Sequence, residues 1–243
     1  LKRAPIVIGE CDPEGCAACQ GSQLGYRNGT MYSSYTAASF ARIYDLADRR
    51  GVNLDAALTW AFTFEDQPPF AGFRQLASCG IDLPVLNVFR MFSRMNGQRI
   101  AVESDSAVPL EAMLKSGVRE WADVSALASF DGNKLCVLAW HYHDDDLPGE
   151  ESVVALELAG VKADKARLTR YAIDAEHSDA FTAWQKMGSP AQPTPAQFAE
   201  LEKAGQLAAV GSPELVAVTD GAMKFNFRLS RQAVTLLVFE LAR

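Results

Sequence analysis

Glu10 is the residue whose type and setting most favour chemistry. It follows Pro5-Ile6-Val7-Ile8-Gly9, a short β-branched run bounded by Pro and Gly. Such a run reads as a strand buried on both faces of a parallel sheet. In α/β barrels the catalytic groups project from the C-terminal ends of the strands, because the loops at that end open the site. A carboxylate there can serve as nucleophile, acid or base; the bland alternative is a loop acid that caps the following helix. A second apolar run, Asp55 to Phe64, also finishes in acids, Glu65 and Asp66. These suit charge-assisted hydrogen bonds to hydroxyl groups, or equally solvation in a loop. Trp60 lies within that run. Its ring could form a platform for the C–H face of a sugar, although burial in the core is the commoner role of such a Trp.

Other reactive residue types are weaker candidates. Cys11, Cys16 and Cys19 crowd together among five cysteines, but a structural zinc or iron–sulfur site needs a fourth ligand and no second CxxC follows. A loop with one disulfide is the plainer reading. His141-Tyr142-His143-Asp144-Asp145-Asp146 looks metal-like, yet it ends a strand and runs into a Pro-Gly turn. His177 lies outside the segment that carries the acids and reads as a hydrogen-bonded packing residue. Asn28-Gly29-Thr30 fits the glycosylation pattern, a frequent chance match. No metal and no organic cofactor is expected.

The elements that must position these residues fall into two regimes. Up to Gly97 the chain reads as strand, loop and helix, twice: the run at Pro5–Ile8 with a helix over Tyr35–Arg50, then the run at Asp55–Phe64 with a helix over Leu83–Met95. From Gln98 the pattern alternates, with turns at Asp131-Gly132-Asn133 and Asp220-Gly221. Strands are expected at Val124–Phe130, Lys134–Tyr142, Ser152–Leu158, Arg167–Ile173, Leu215–Thr219, Met223–Leu229 and Ala233–Leu241, the signature of a β-sandwich. One helix interrupts them, with Thr194 as N-cap, Pro195 at its first position, Gln197 closing a capping box and Gly205 as its stop.

The 243 residues, 49% of them hydrophobic, are ample for packed cores. A formal charge of −7 without any basic patch argues against a nucleic-acid or anionic-membrane partner. No apolar run approaches the roughly 18–20 residues of a membrane span. The sequence starts without Met and almost at once with a strand, as though inside a fold, so the compartment stays open.

Several stretches resemble glycoside hydrolase family 39, the β-xylosidases and their α-L-iduronidase relatives. Pro5 to Glu10 resembles the seventh barrel strand, which in that family ends in the nucleophilic Glu. Leu58 to Asp66 resembles the eighth, usually Trp-Thr-Phe followed by acids, and Phe70-Ala71-Gly72-Phe73 the loop after it, with Ala71 where the family often has His-Gly. Ile173 to Ser178 with Trp184 to Pro190 is similar to an accessory-domain motif. The resemblance implies α/β plus all-β architecture: residues 1–97 as the last two βα units of a (β/α)8 barrel, and residues 98–243 as a β-sandwich with a helical insertion. It implies a retaining exo-β-xylosidase acting on xylo-oligosaccharides, with Glu10 as nucleophile and Trp60 and Glu65 binding sugar. A nucleophile must be ionised, so a donor or cation is expected beside Glu10. The family's acid/base is a Glu preceded by Asn at the fourth strand. The sequence contains no Asn-Glu pair, so about six βα units and the acid are expected to lie outside it, and the chain alone is expected to be inactive. The alternatives are α-L-iduronidase or α-L-arabinosidase specificity, or a non-catalytic carbohydrate-binding or structural sandwich module.

Overall fold

A computed structural model describes residues 4–59 and 62–242. The first segment is β1 (Ile6–Ile8), a 3-10 turn (Ser22–Asn28), α1 (Thr30–Arg50), β2 (Leu54–Ala57), a small hairpin of β3 (Ala77–Ser78) and β4 (Ile81–Asp82), and α2 (Pro84–Phe92). After it come β5 (Gln98–Ile100), α3 (Leu110–Ser116), β6 (Asp123–Phe130), β7 (Lys134–Tyr142), β8 (Ser152–Ala159), β9 (Lys165–Ile173), α4 (Ala180–Lys186), α5 (Pro195–Gly205), β10 (Ala208–Ala209), β11 (Glu214–Ala217), β12 (Ala222–Leu229) and β13 (Val234–Ala242). The architecture is a mixed α/β portion joined to a large antiparallel sheet.

β1 and β2 pair in parallel, Ile6 opposite Leu54 and Ile8 opposite Ala57, with α1 as the crossover. Two expectations need correction here. The first strand is not buried on both faces: Ile6 is 42% and Val7 52% exposed. The second stops at Ala57 rather than running to Phe64. Among the described residues β1 and β2 form a two-stranded sheet in which each has a single neighbour, which leaves the first strand uncovered.

The seven-stranded sheet runs β10-β9-β13-β7-β6-β5, with β11 also paired to β9. β7 at its centre is buried at nearly every position, because both faces are covered. On one side α1 and α2 lay Ala37, Ala38, Ala41, Val88 and Met91 against Leu138, Trp140 and Leu236. Alanines at that contact let the helix backbone approach closely. On the other side the antiparallel pair β8–β12 brings Leu158, Met223 and Phe227 against Val137, Leu237 and Phe239. Asp123 fastens the helical layer to the sheet. Its fully buried carboxylate accepts from Trp140 Nε1 (2.7 Å), Arg42 Nη2 (2.8 Å) and the Val108 backbone N–H (2.8 Å), as a buried charge requires.

Helix boundaries moved where polar residues hid the pattern. α1 begins at Thr30 rather than Tyr35, because Ser33, Ser34 and Thr36 are buried in its opening turns. Ser34 donates to Met31 O (3.0 Å) and Gln232 Oε1 (2.6 Å). Leu83 caps α2, which ends at Phe92. α5 has the expected capping box of Thr194 and Gln197. α3 and α4 were not anticipated; each is seven residues long, too short for a periodic signal. Among the described residues no helix is long and apolar enough to cross a membrane.

Candidate active site

β1 ends at Ile8, but its pairing continues: Leu58 N–H donates to Ile8 O (2.9 Å) and Cys11 N–H to Leu58 O (2.7 Å). The loop leaving β1 is thereby held against the loop leaving β2. Glu10, Asp12 and Glu14 follow at alternate positions, and two arginines meet them. Arg74 places Nη2 3.6 Å from Glu10 Oε2 and Nη1 3.4 Å from Asp12 Oδ2, and lies 4.0 Å from Glu14 Oε1. Arg27 is fully buried and pairs with Glu14. It also donates to the carbonyls of Cys16 (2.6 Å), Cys19 (3.1 Å) and Gly72 (3.2 Å). Arg74, itself buried, adds a backbone bond to Ala17 O (3.0 Å).

Two buried guanidiniums need compensating charge and acceptors, and this loop supplies both. A disulfide joins Cys16 to Cys19. It shortens the loop so that neighbouring carbonyls turn toward Arg27. Asp12 is anchored further by Tyr32 Oη (3.0 Å) and Thr59 Oγ1 (2.5 Å). Burial raises the Tyr32 hydroxyl pKa, with Asp12 adding to the shift, so the phenol stays a donor. The inner carboxylates are thus committed. Glu10 alone keeps an open face, with its side chain 58% exposed beside the Arg74 charge.

The other expected residues fare differently. Trp60 lies outside the described residues. Glu65 sits in an exposed turn whose next residue, Asp66, has a φ of 56°. No hydrogen bond or ion pair of its carboxylate occurs among the described residues; only its backbone carbonyl accepts, from Gln67 Nε2 (3.3 Å). The β2 loop is tied to the arginine loop by Phe64, stacked on Phe73 at 4.3 Å. Asn28 is buried and donates to Phe70 O (2.8 Å), so the glycosylation pattern there is a packing contact.

The disulfide occupies two of the three clustered thiols. Burial, with the Asp12 charge beside it, pushes the third, Cys11, up to about 11. His143 accepts from the Asp145 N–H at Nδ1 (3.0 Å), which leaves Nε2–H to donate to Arg119 O (3.1 Å). His141 Nδ1 contacts Leu229 O (3.0 Å), and His177 Nδ1 contacts Asp174 Oδ1 (2.8 Å). Among the described residues no group of three or more His, Cys, Asp or Glu is placed to hold a metal ion. A cavity of about 500 Å³ lined by Phe40, Leu58, Phe89 and Phe92 is apolar and holds no carboxylate.

Sequence reasoning missed Asp12, Glu14, Arg27 and Arg74. The signal was present: acids at 10, 12 and 14 demand cations, and Arg27 and Arg74 stand in segments otherwise rich in Gly and aromatics.

The profile of glycosyl hydrolases family 39 matches residues 2–213. No curated protein matches in sequence. Among solved structures, the GH39 enzyme from Xanthomonas axonopodis pv. citri superposes with a TM-score of 0.74 at 18% identity, covering 99% of this chain and 45% of that one. A monomeric β-xylosidase from Caulobacter crescentus CB15 gives 0.73 at 17%, with coverage of 99% and 46%. A bacterial orthologue of human α-L-iduronidase gives 0.75 at 19%, with coverage of 98% and 42%. The chain spans less than half the length of each.

Proposed function

The chain belongs to glycosyl hydrolase family 39, and from that premise we propose that it is the nucleophile-bearing part of a retaining β-xylosidase. In this reading residues 1–97 are the last two βα units of a (β/α)8 barrel and residues 98–243 an accessory β-sandwich. Glu10 attacks the anomeric carbon and forms a glycosyl-enzyme. A second carboxyl about 5–5.5 Å away protonates the leaving oxygen and then activates water. Trp60 and Glu65 would bind the sugar.

The observation that carries the proposal is the setting of Glu10: a half-exposed carboxylate at the C-terminal end of β1 with the Arg74 guanidinium 3.6 Å away. The guanidinium is also placed to orient the carboxylate for attack while leaving its other face open. One structural relative is named a β-xylosidase, in line with this reading, and another an orthologue of α-L-iduronidase, in line with the alternative specificity.

The test is covalent trapping. A 2-fluoro-β-xyloside with a good leaving group, given to the enzyme with its barrel complete, should leave its sugar on the Glu10 peptide. A label on Glu65 would refute the assignment.

A further inference from the structure

A cleft of about 650 Å³ opens between the loop that follows Glu10 and the loop after β7. Pro13 and the first turns of α1 form one wall, and Tyr142 to Leu147 the other. It lies at the end of the α/β portion that carries Glu10, since Pro13 is in the same loop and Tyr35 is in the opening half of α1. Tyr26, Tyr35 and Tyr142 all face it, and Tyr35 meets Tyr142 edge-on at 5.9 Å.

The β7 loop is held more firmly than a strand connection requires. Asp144 accepts from the Val118 N–H (3.0 Å) and Tyr142 Oη (2.9 Å). Arg119 reaches Asp144 at 3.5 Å and Asp145 at 3.1 Å. Buried Gln232, at a φ of 63°, donates to the carbonyls of His143 (2.8 Å) and Asp145 (3.2 Å) while accepting from Ser34 of α1. This strained hub ties the wall to the helix that forms the opposite wall. Asp144 and Asp145 are therefore spoken for. Among the described residues Asp146 has no hydrogen bond or ion pair, and it lines the cleft.

We propose that this cleft is a binding site for a neutral oligosaccharide. Tyrosine faces suit the C–H faces of sugar rings, and an uncommitted carboxylate suits their hydroxyls. Three carboxylates against the single Arg119 repel an anionic ligand. With two of the three already bonded to donors, the cleft does not offer a cation its ligand shell. Its use as a subsite for the part of a xylo-oligosaccharide beyond the cleaved bond rests on the function proposed above; the binding itself does not.

Titration calorimetry of the 243-residue chain with xylotriose tests it. Xylotriose should bind one to one. Asp146→Ala, at an exposed position, should weaken binding about tenfold through loss of a charge-assisted hydrogen bond. Gln23→Ala, on the opposite rim, should weaken it more mildly, and Glu200→Gln, exposed on α5 and outside the cleft, should leave it unchanged. A trigalacturonate should bind at least about tenfold more weakly than xylotriose. Absence of binding, full affinity in Asp146→Ala, or a preference for trigalacturonate would overturn the proposal. Binding weakened as much in Glu200→Gln would overturn it too, while leaving the nucleophile assignment standing. A trapping experiment that misses Glu10 would end the functional reading without touching the cleft.

Discussion

Arg27 and Arg74 show how single side chains set the character of the site. Each is a buried cation whose planar fork serves several acceptors at once. Lysine can replace the charge but not the geometry. Arg27→Lys strands carbonyls of Cys16, Cys19 and Gly72, so it should cost about 3 kcal/mol, read as a lower urea midpoint. Cys11 offers a second check at this scale. Its thiol rises from 9.0 to about 11 through burial and the Asp12 charge, so at pH 8 its alkylation should run about a hundredfold slower than a free thiol's. The sign for stability follows. The folded-state pKa lies above the unfolded one, so the contribution is fully present below pH 9.0 and lost as the pH rises toward 11. Rapid modification of Cys11 in the folded chain would show that the loop is open.

Elements were legible where one strong local signal fixed them. Lys134–Tyr142 was bounded correctly because Asp131-Gly132-Asn133 marks the preceding turn and the strand is apolar from Leu135 to Trp140. α5 was readable from Thr194-Pro195-x-Gln197 alone. Thr194→Ala should therefore cost about 1 kcal/mol and lower the melting temperature by a few degrees. Where non-local contacts decide, the local pattern misled. The run Asp55–Phe64 looks like a long strand, but among the described residues the strand ends at Ala57. The candidate site divided in the same way. Glu10 was visible because strand ends are special positions in a βα fold. Its partner Arg74 was not, since it lies 64 residues away and the pairing depends on tertiary folding. Asp123 is a similar case, a buried acid at a strand start joining α1, β6 and β7. Asp123→Ala leaves Arg42 and the Trp140 N–H unpaired and should destabilise by about 3–5 kcal/mol, measured by denaturant unfolding.

At the scale of the whole molecule the two portions share one core. α1 and α2 pack on the large sheet, with Trp140, Leu138 and Val88 all fully buried. The α/β portion therefore has a firm support on its sheet side. The β1–β2 side is different, with apolar Ile6 and Val7 facing outward from a sheet of two strands. In the proposed function this is where the remaining barrel strands would sit, bringing the acid that glycoside cleavage needs. The chain's own acids near Glu10 cannot take that part, because Asp12 and Glu14 are bound by Arg74 and Arg27. Leaving-group protonation contributes roughly 10²–10⁴-fold to such a reaction. The 243-residue chain should therefore show no measurable turnover of 4-nitrophenyl β-xyloside, whose leaving group still benefits from protonation. An activated 2,4-dinitrophenyl β-xyloside, which departs without a proton, is the more sensitive probe. Turnover of the 4-nitrophenyl substrate by this chain alone at ordinary enzymatic rates would mean that an acid within it had been overlooked, and would refute the division of catalytic roles proposed for Glu10 and its missing partner.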